Sequence, residues 1–297
     1  MALENTYVNR GYSLTIGDYK NDPNNAILID NLQITFEVSK SSSNKDKTNS
    51  CTIEIYNVDD NTLALLDKEF VAAEFNAGYY NTHIKRLFAG EIAQVTTRQS
   101  GQDLITQILM GAGYSALNFT QLSGILPPGA KKKEVVEAIR KKITGINKGL
   151  YSGVNCNNPV ISGYPLTGTP KAALDKLCHD GEMEYTIDNN TLYLMDRGQS
   201  YQSTTDQAIV VSPETGLIDL AYKVSGQGIV KKPDPAKVAG IQFQANLNAD
   251  FYAGSIIKLD QGNSLDGFYK IESVRHTGSW RGGQWVSECR CSQRLAS

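Results

Sequence analysis

The chain has little of several things that would narrow its chemistry. Its 297 residues include only three histidines, His83, His179 and His276, and none has a partner at the spacing of a metal pair or a catalytic triad. No apolar run approaches the ~20 residues needed to cross a bilayer, so stable membrane insertion is not expected. The opening Met1-Ala2-Leu3-Glu4-Asn5 lacks the basic and apolar stretches of a secretory leader, and synthesis in a host cytoplasm is the expectation. Five cysteines, Cys51, Cys156, Cys178, Cys289 and Cys291, make an odd count that points to reduced thiols instead of a disulfide framework. The formal charge is only −2. A protein that grips nucleic acid draws most of its strength from many Lys/Arg–phosphate contacts, so such a grip is not expected, although DNA could still slide past.

What is present is alternation. Leu32, Ile34, Phe36 and Val38 alternate with polar neighbours, then Cys51, Ile53 and Ile55, then Val71, Ala73, Phe75 and Ala77. This two-residue period puts one face of each strand toward a core. The polar run from Ser41 to Lys47 reads as a loop, and Asp59-Asp60-Asn61 as the cap of a short helix carrying Leu63, Leu65 and Leu66. After Pro127-Pro128-Gly129 the period changes. Val135, Val136, Ile139 and Ile143 share a helical face, and Thr169-Pro170 opens a second helix that buries Ala173, Leu174, Leu177 and Cys178 and can close at Gly181. Met183–Ile187 and Thr191–Met195 flank Asp188-Asn189-Asn190, a hairpin turn because Asn tolerates positive φ. From about Tyr201 strands return at 209–211, 221–224, 241–243, 256–259, 268–274 and 285–291, with Lys231-Lys232-Pro233-Asp234-Pro235 as the longest exposed connection.

Two stretches repeat a pattern. Phe88 leads into Ile92-Ala93-Gln94-Val95, a turn at Gly101 and a returning strand Leu104–Ile108; Phe268 leads into Ile271-Glu272-Ser273-Val274, a turn at Gly282-Gly283 and a returning strand Trp285–Cys289. If this is duplication, the chain carries two related β-barrels with a helical module between them, and three copies would present six barrels in a ring.

Several motifs suggest chemistry and fail on inspection. Gly111-Ala112-Gly113-Tyr114-Ser115-Ala116 lacks the acidic residue ~20 positions on that a dinucleotide fingerprint needs, and reads as a strand-to-helix turn. Gly124–Lys131 carries two prolines where a P-loop needs backbone donors. Cys289-x-Cys291 has no second ligand pair for zinc and reads as half-buried packing. Lys131-Lys132-Lys133 and Arg140-Lys141-Lys142 lack interleaved aromatics and read as a solvated helix face. Carboxylate pairs need only proximity in space, and none stands in a distinctive setting.

Phe36-Glu37-Val38-Ser39-Lys40, Cys51-Thr52-Ile53-Glu54-Ile55-Tyr56-Asn57-Val58 with Thr62, Ala77-Gly78-Tyr79 and Leu87-Phe88-Ala89-Gly90-Glu91-Ile92 together resemble the opening of baseplate hub proteins of contractile-tailed phages, with Val58 where Leu is commoner. Gly267–Ile271 through His276-Thr277-Gly278 to Trp285 is similar to their last domain. The resemblance implies a mainly β fold with an α+β insertion: a tube-protein-like β-barrel domain over 1–112, an α+β middle module over 113–200 and a second barrel over 201–297. It implies a homotrimer forming a pseudo-sixfold ring, with the tail tube protein, the central spike protein and other baseplate proteins as partners and genomic DNA only in transit through the lumen. It implies a place in the virion tail and no enzymatic activity; no catalytic, cofactor-binding or metal-ligating residue is assigned, and no cofactor is expected. A tail-tip protein of a non-contractile phage or injection particle remains an alternative, as does a tail-associated cell-wall hydrolase or sugar-binding module.

Overall fold

The computed structural model describes residues 9–17, 26–42, 49–66, 71–80, 83–200, 208–224 and 240–293. The polar run after Ser42, the Lys231–Pro235 connection and Tyr201 lie outside the described residues. The first strands are β1 (Arg10–Ile16), β2 (Ile27–Ile29), β3 (Ile34–Ser41), β4 (Ser50–Tyr56), β5 (Ala72–Tyr79), β6 (His83–Ser100) and β7 (Asp103–Gly111), with helix α1 (Asp60–Leu66) between β4 and β5. Alternation becomes burial: Ile34, Phe36 and Val38 on β3, Cys51, Ile53 and Ile55 on β4, and Ala73, Phe75 and Ala77 on β5 all face the core. Asp59 caps α1 by accepting from the Thr62 N–H at 2.9 Å and its hydroxyl at 3.0 Å, bonds that hold its carboxyl below the usual range.

The middle holds α2 (Tyr114–Asn118), β8 (Ile125–Leu126), α3 (Lys132–Lys142), β9 (Asn147–Tyr151), β10 (Tyr164–Pro165), α4 (Pro170–Asp180), β11 (Met183–Asp188) and β12 (Thr191–Asp196). Helix α3 buries Val135, Val136 and Ile139. Helix α4 begins at Thr169, whose hydroxyl accepts from the Ala172 N–H at 3.3 Å, and proline follows where its missing donor costs nothing. The helix closes at Gly181, whose N–H returns to the Leu177 carbonyl at 3.0 Å, but Gly181 keeps φ −96 and the left-handed residue is Glu182 at φ +53. The β11–β12 hairpin turns on Asn189 and Asn190, both at positive φ. Strand β9, which alternation does not mark, runs parallel to β12 and completes a three-stranded sheet.

The last strands are β13 (Ile209–Val211), β14 (Tyr222–Val224), β15 (Gly240–Asn246), β16 (Ile256–Leu259), β17 (Gly267–Ser279) and β18 (Trp285–Gln293). They do not form a separate sheet. Strands from both ends of the chain join in one 13-stranded sheet ordered β14-β15-β18-β17-β3-β4-β7-β6-β5-β1-β2, with β16 against β17 and β13 against β16. The join is antiparallel, from Ser273 opposite Ser41 to Ser279 opposite Thr35.

Within this sheet the same arrangement occurs twice. The series β3-β4-β7-β6-β5 and β14-β15-β18-β17-β16 have the same chain order, the same neighbours and antiparallel pairing throughout. Each hairpin also carries a register shift at the same place. It lies between Ile92 and Gln94 in β6 and between Ile271 and Ser273 in β17, just after the isoleucine of Ile-x-x-Val. Bulges of this kind re-aim a strand and are rarely accidental. Aligned on the bulge, buried Thr106 matches Ser287, Ile108 matches Cys289, and Ile53 matches Phe243. The aromatic leads do not align, since Phe88 stands four residues before its isoleucine and Phe268 three; Phe88 is buried and Phe268 exposed. The flanks differ too, for β1 is antiparallel to β5 and β13 parallel to β16. One apolar core runs from the first strands into the middle helices, while Phe243, Phe251, Ile257, Leu259, Ile271 and Cys289 form a second. Among the described residues no helix is long and apolar enough to cross a membrane.

Candidate assembly surface

The junction of β17 with β3 is a packed seam. A side chain on Gly278 would collide with the rings of Phe36 and Trp285. Those rings meet edge to face at 5.1 Å, so bare backbone here is what lets the aromatics close. Trp285 donates through its indole N–H to the Gly78 carbonyl at 3.2 Å, and the Arg10 guanidinium lies 5.6 Å from its ring centre. On the outer face Arg275 pairs with Glu37 across the seam at 2.5 Å, which raises the guanidinium pKa further. On the inner face His276 is buried with Nδ1 2.8 Å from the Ser287 hydroxyl. Burial, aided by the nearby Lys40 charge, pushes its pKa down to about 3, so the imidazole is neutral.

The middle module fastens to this seam through polar groups. Lys40 of β3, almost wholly buried, pairs with Asp188 of the hairpin turn at 2.6 Å. Asn49 donates to the Ile187 carbonyl at 2.8 Å, and Thr186 donates to the Ser41 carbonyl at 2.9 Å. Buried Lys270 lies 3.2 Å from Glu272 and 3.8 Å from Glu184. Glu272 also accepts from Ser42 at 2.7 Å and Ser292 at 2.5 Å. Burial raises the pKa of Glu184 in spite of the Lys270 charge. A network of this kind fixes geometry more than it adds net stability.

Beyond the seam, β2, β13, β14 and the far part of β6 each have a strand on one side only among the described residues. After its bulge β6 continues through Gln94–Ser100 with β7 on one side only, and β14 has β15 on one side only. Beside the β14 edge Ile218, Leu220 and Tyr222 alternate outward, each about half exposed. An apolar stripe on an open edge is what a free subunit ordinarily avoids.

The residues singled out by sequence are scattered. His179 is in the last turn of α4, His276 in the seam, and His83 starts β6. Cys289 and Cys291 are fully buried, not half-buried as expected, because both face the second core; burial raises both thiols well above the ordinary range. Lys131–Lys133 lie at the start of α3, while Arg140 is taken up by Glu137 at 2.8 Å and the Ile146 carbonyl at 2.8 Å. Gly113, at φ +59, turns β7 into α2 with no room for a side chain against Ile146. Among the described residues no group of three or more His, Cys, Asp or Glu could hold a metal. Sequence reasoning missed Gly278, whose signal was a glycine inside a strand pattern. It also missed β1, although Tyr12, Leu14 and Ile16 alternate.

Solved structures share this arrangement over nearly the whole chain. A tail protein from Neisseria meningitidis superposes with a TM-score of 0.68 at 10% identity, covering 96% of this chain and 97% of that one. The 43 kDa tail protein of prophage MuSo2 from Shewanella oneidensis gives 0.65 at 10% identity, with the same coverage. The fold is that of phage tail proteins. A type VI secretion component of Escherichia coli, described as similar to the T4 tail proteins gp27 and gp5, gives 0.62 at 11% identity, covering 89% of this chain and 76% of that one. No family model and no curated protein matches the sequence. Within the tail-protein fold, the open edges of β6 and β14 are the features of this chain that most invite a partner.

Proposed function

We propose that the chain is a subunit of a baseplate hub: a homotrimer whose two tube-like units, over 1–112 and 201–297, make a pseudo-sixfold ring, with the module over 113–200 outside that repeat. The hub would adapt a sixfold tail tube to a threefold spike, join other baseplate proteins, and let DNA pass through its lumen. The role is structural and non-enzymatic, in the virion tail.

The observation that carries this reading is the doubled strand series joined side by side in one sheet. Two equivalent units held edge to edge within one chain already form a third of a six-membered ring, and threefold symmetry closes it without leaving open edges. The near-neutral charge suits a lumen that DNA passes without sticking. Obligate rings of this type commonly bury ~2,000 Å² or more at an interface. Light scattering on the purified chain should give a trimer; a stable monomer at micromolar concentration counts against the hub. A second reading, a matching ring in a phage-derived secretion or injection particle, draws on the likeness to the type VI secretion component, and a neighbouring sheath or secretion gene cluster separates the two. Peptidoglycan release assays should be negative, and cleavage abolished by changing one acid would overturn the structural role.

A further inference from the structure

The internal seam shows how two strand edges of this chain pair. In it the Trp280 N–H donates to Ile34 at 3.1 Å and the Ser42 N–H to Glu272 at 2.9 Å. Hydrogen-bonded pairs alternate along an antiparallel ladder, so Val274, His276 and Gly278 direct their backbone groups at β3. By the bulge alignment, Val95, Thr97 and Gln99 of β6 direct theirs at the open side. The same alignment, carried through β4 and β15, makes Ala221 the counterpart of Phe36.

Ala221 is where the open edge is already answered. Its N–H donates to Gln261 Oε1 at 2.8 Å, and its carbonyl accepts from Gln261 Nε2 at 3.4 Å. A carboxamide has the donor and acceptor of a peptide group, so Gln261 stands where the peptide of a neighbouring strand would lie. A turn presents it, with the Gln261 N–H bonded to Asp266 at 2.9 Å and Nε2 also reaching Asn263 at 3.0 Å. Sizes are matched in both places: glycine faces Phe36 in the seam, and Gln99 would face the small Ala221.

We propose that Gln94–Ser100 of β6 in one subunit pairs antiparallel with β14 of the next, in the register of the β17–β3 seam, and that the Gln99 peptide replaces the Gln261 carboxamide at Ala221. Arg98 then lies opposite Tyr222, Thr96 opposite Val224 and Ser100 opposite Leu220, which covers the exposed stripe. The occupant is a second copy of this chain because the complementary edge is its own. This rests on the homotrimer reading and adds which edges meet and in what register.

The test is an R98C/Y222C double variant under mild oxidation. Both positions are exposed, the five native cysteines are buried, and a non-hydrogen-bonded antiparallel pair holds its Cα atoms at about 4.5 Å, within disulfide reach. A ladder ending at three linked chains on a non-reducing gel is expected, with no ladder from R98C/L28C. A trimer by light scattering without the Arg98–Tyr222 link overturns the pairing and leaves the trimer standing; a monomer overturns both. In the assembled trimer, Gln261→Ala should leave hydrogen exchange at Ala221 within about twofold of the parent, whereas acceleration of about tenfold or more means that Gln261 is the permanent partner.

Discussion

Among the described residues, the first strand series is sealed on the side where the last is left open. Strand β3 is covered along its length by β17, through the Gly278 gap, the Phe36 and Trp285 rings and the Arg275–Glu37 pair. Its counterpart β14 ends the sheet, protected at one residue by a side-chain amide. Strands β17 and β6 differ in the same way, the one paired on both sides after its bulge and the other on one side only. Among the described residues one architecture thus occurs in two states, the first series with a neighbouring strand at this edge and the second without one.

Substitutions at matched positions should separate the states. The largest effect is expected from Gly278→Val, which drives a branched side chain into Phe36 and Trp285 and should cost about 3 kcal/mol or more in urea unfolding. Gln99→Val, its counterpart on the open edge, should change the unfolding of dissociated chains by only about 0.5 kcal/mol. Equal costs would show that the positions do not differ as described. Asp188→Ala leaves buried Lys40 unpaired and should cost about 2–3 kcal/mol, loosening the β11–β12 hairpin more than the strand series in hydrogen exchange.

His276 belongs to the sealed state alone, for Thr97 holds its place in β6. Its folded pKa, about 3, lies below the unfolded value near 6.5. Protonation therefore favours the unfolded chain: the stability is full above about pH 6.5 and is lost as pH falls toward 3. Urea midpoints should report a loss of about 2.5 kcal/mol from this group between about pH 7 and about pH 4.5. His276→Gln should flatten that slope even if it lowers stability overall. The smallest effect is expected from Arg98→Ala. Its exposed bond to Glu54 is worth at most about 0.5 kcal/mol within a chain, so double-mutant unfolding of dissociated chains should find almost no coupling.

Much of the fold was legible in the sequence, and physics accounts for what was not. Alternation marked β3, β4 and β5 because each has one buried face, and the 3.6-residue period marked α3 and α4. The Ile-x-x-Val hairpins pointed to the duplication, while Phe88 and Phe268 misled by one position because the bulge, not the aromatic, sets the register. Strand β9 was invisible: its residues are mostly exposed and it is held by backbone pairing to β12. The joining of both ends into one sheet was also hidden. It depends on contacts more than 200 residues apart, such as Glu37 with Arg275, which no local period records. Gln261 carried no signal, since a glutamine capping an edge looks like any glutamine in a turn.

End-on electron microscopy of the purified particle tests the central claim most directly. A threefold particle is expected, with six similar lobes around a lumen, alternate lobes built from the first and last strand series. A lone chain, or a ring whose two series lie at unequal radii, would contradict it.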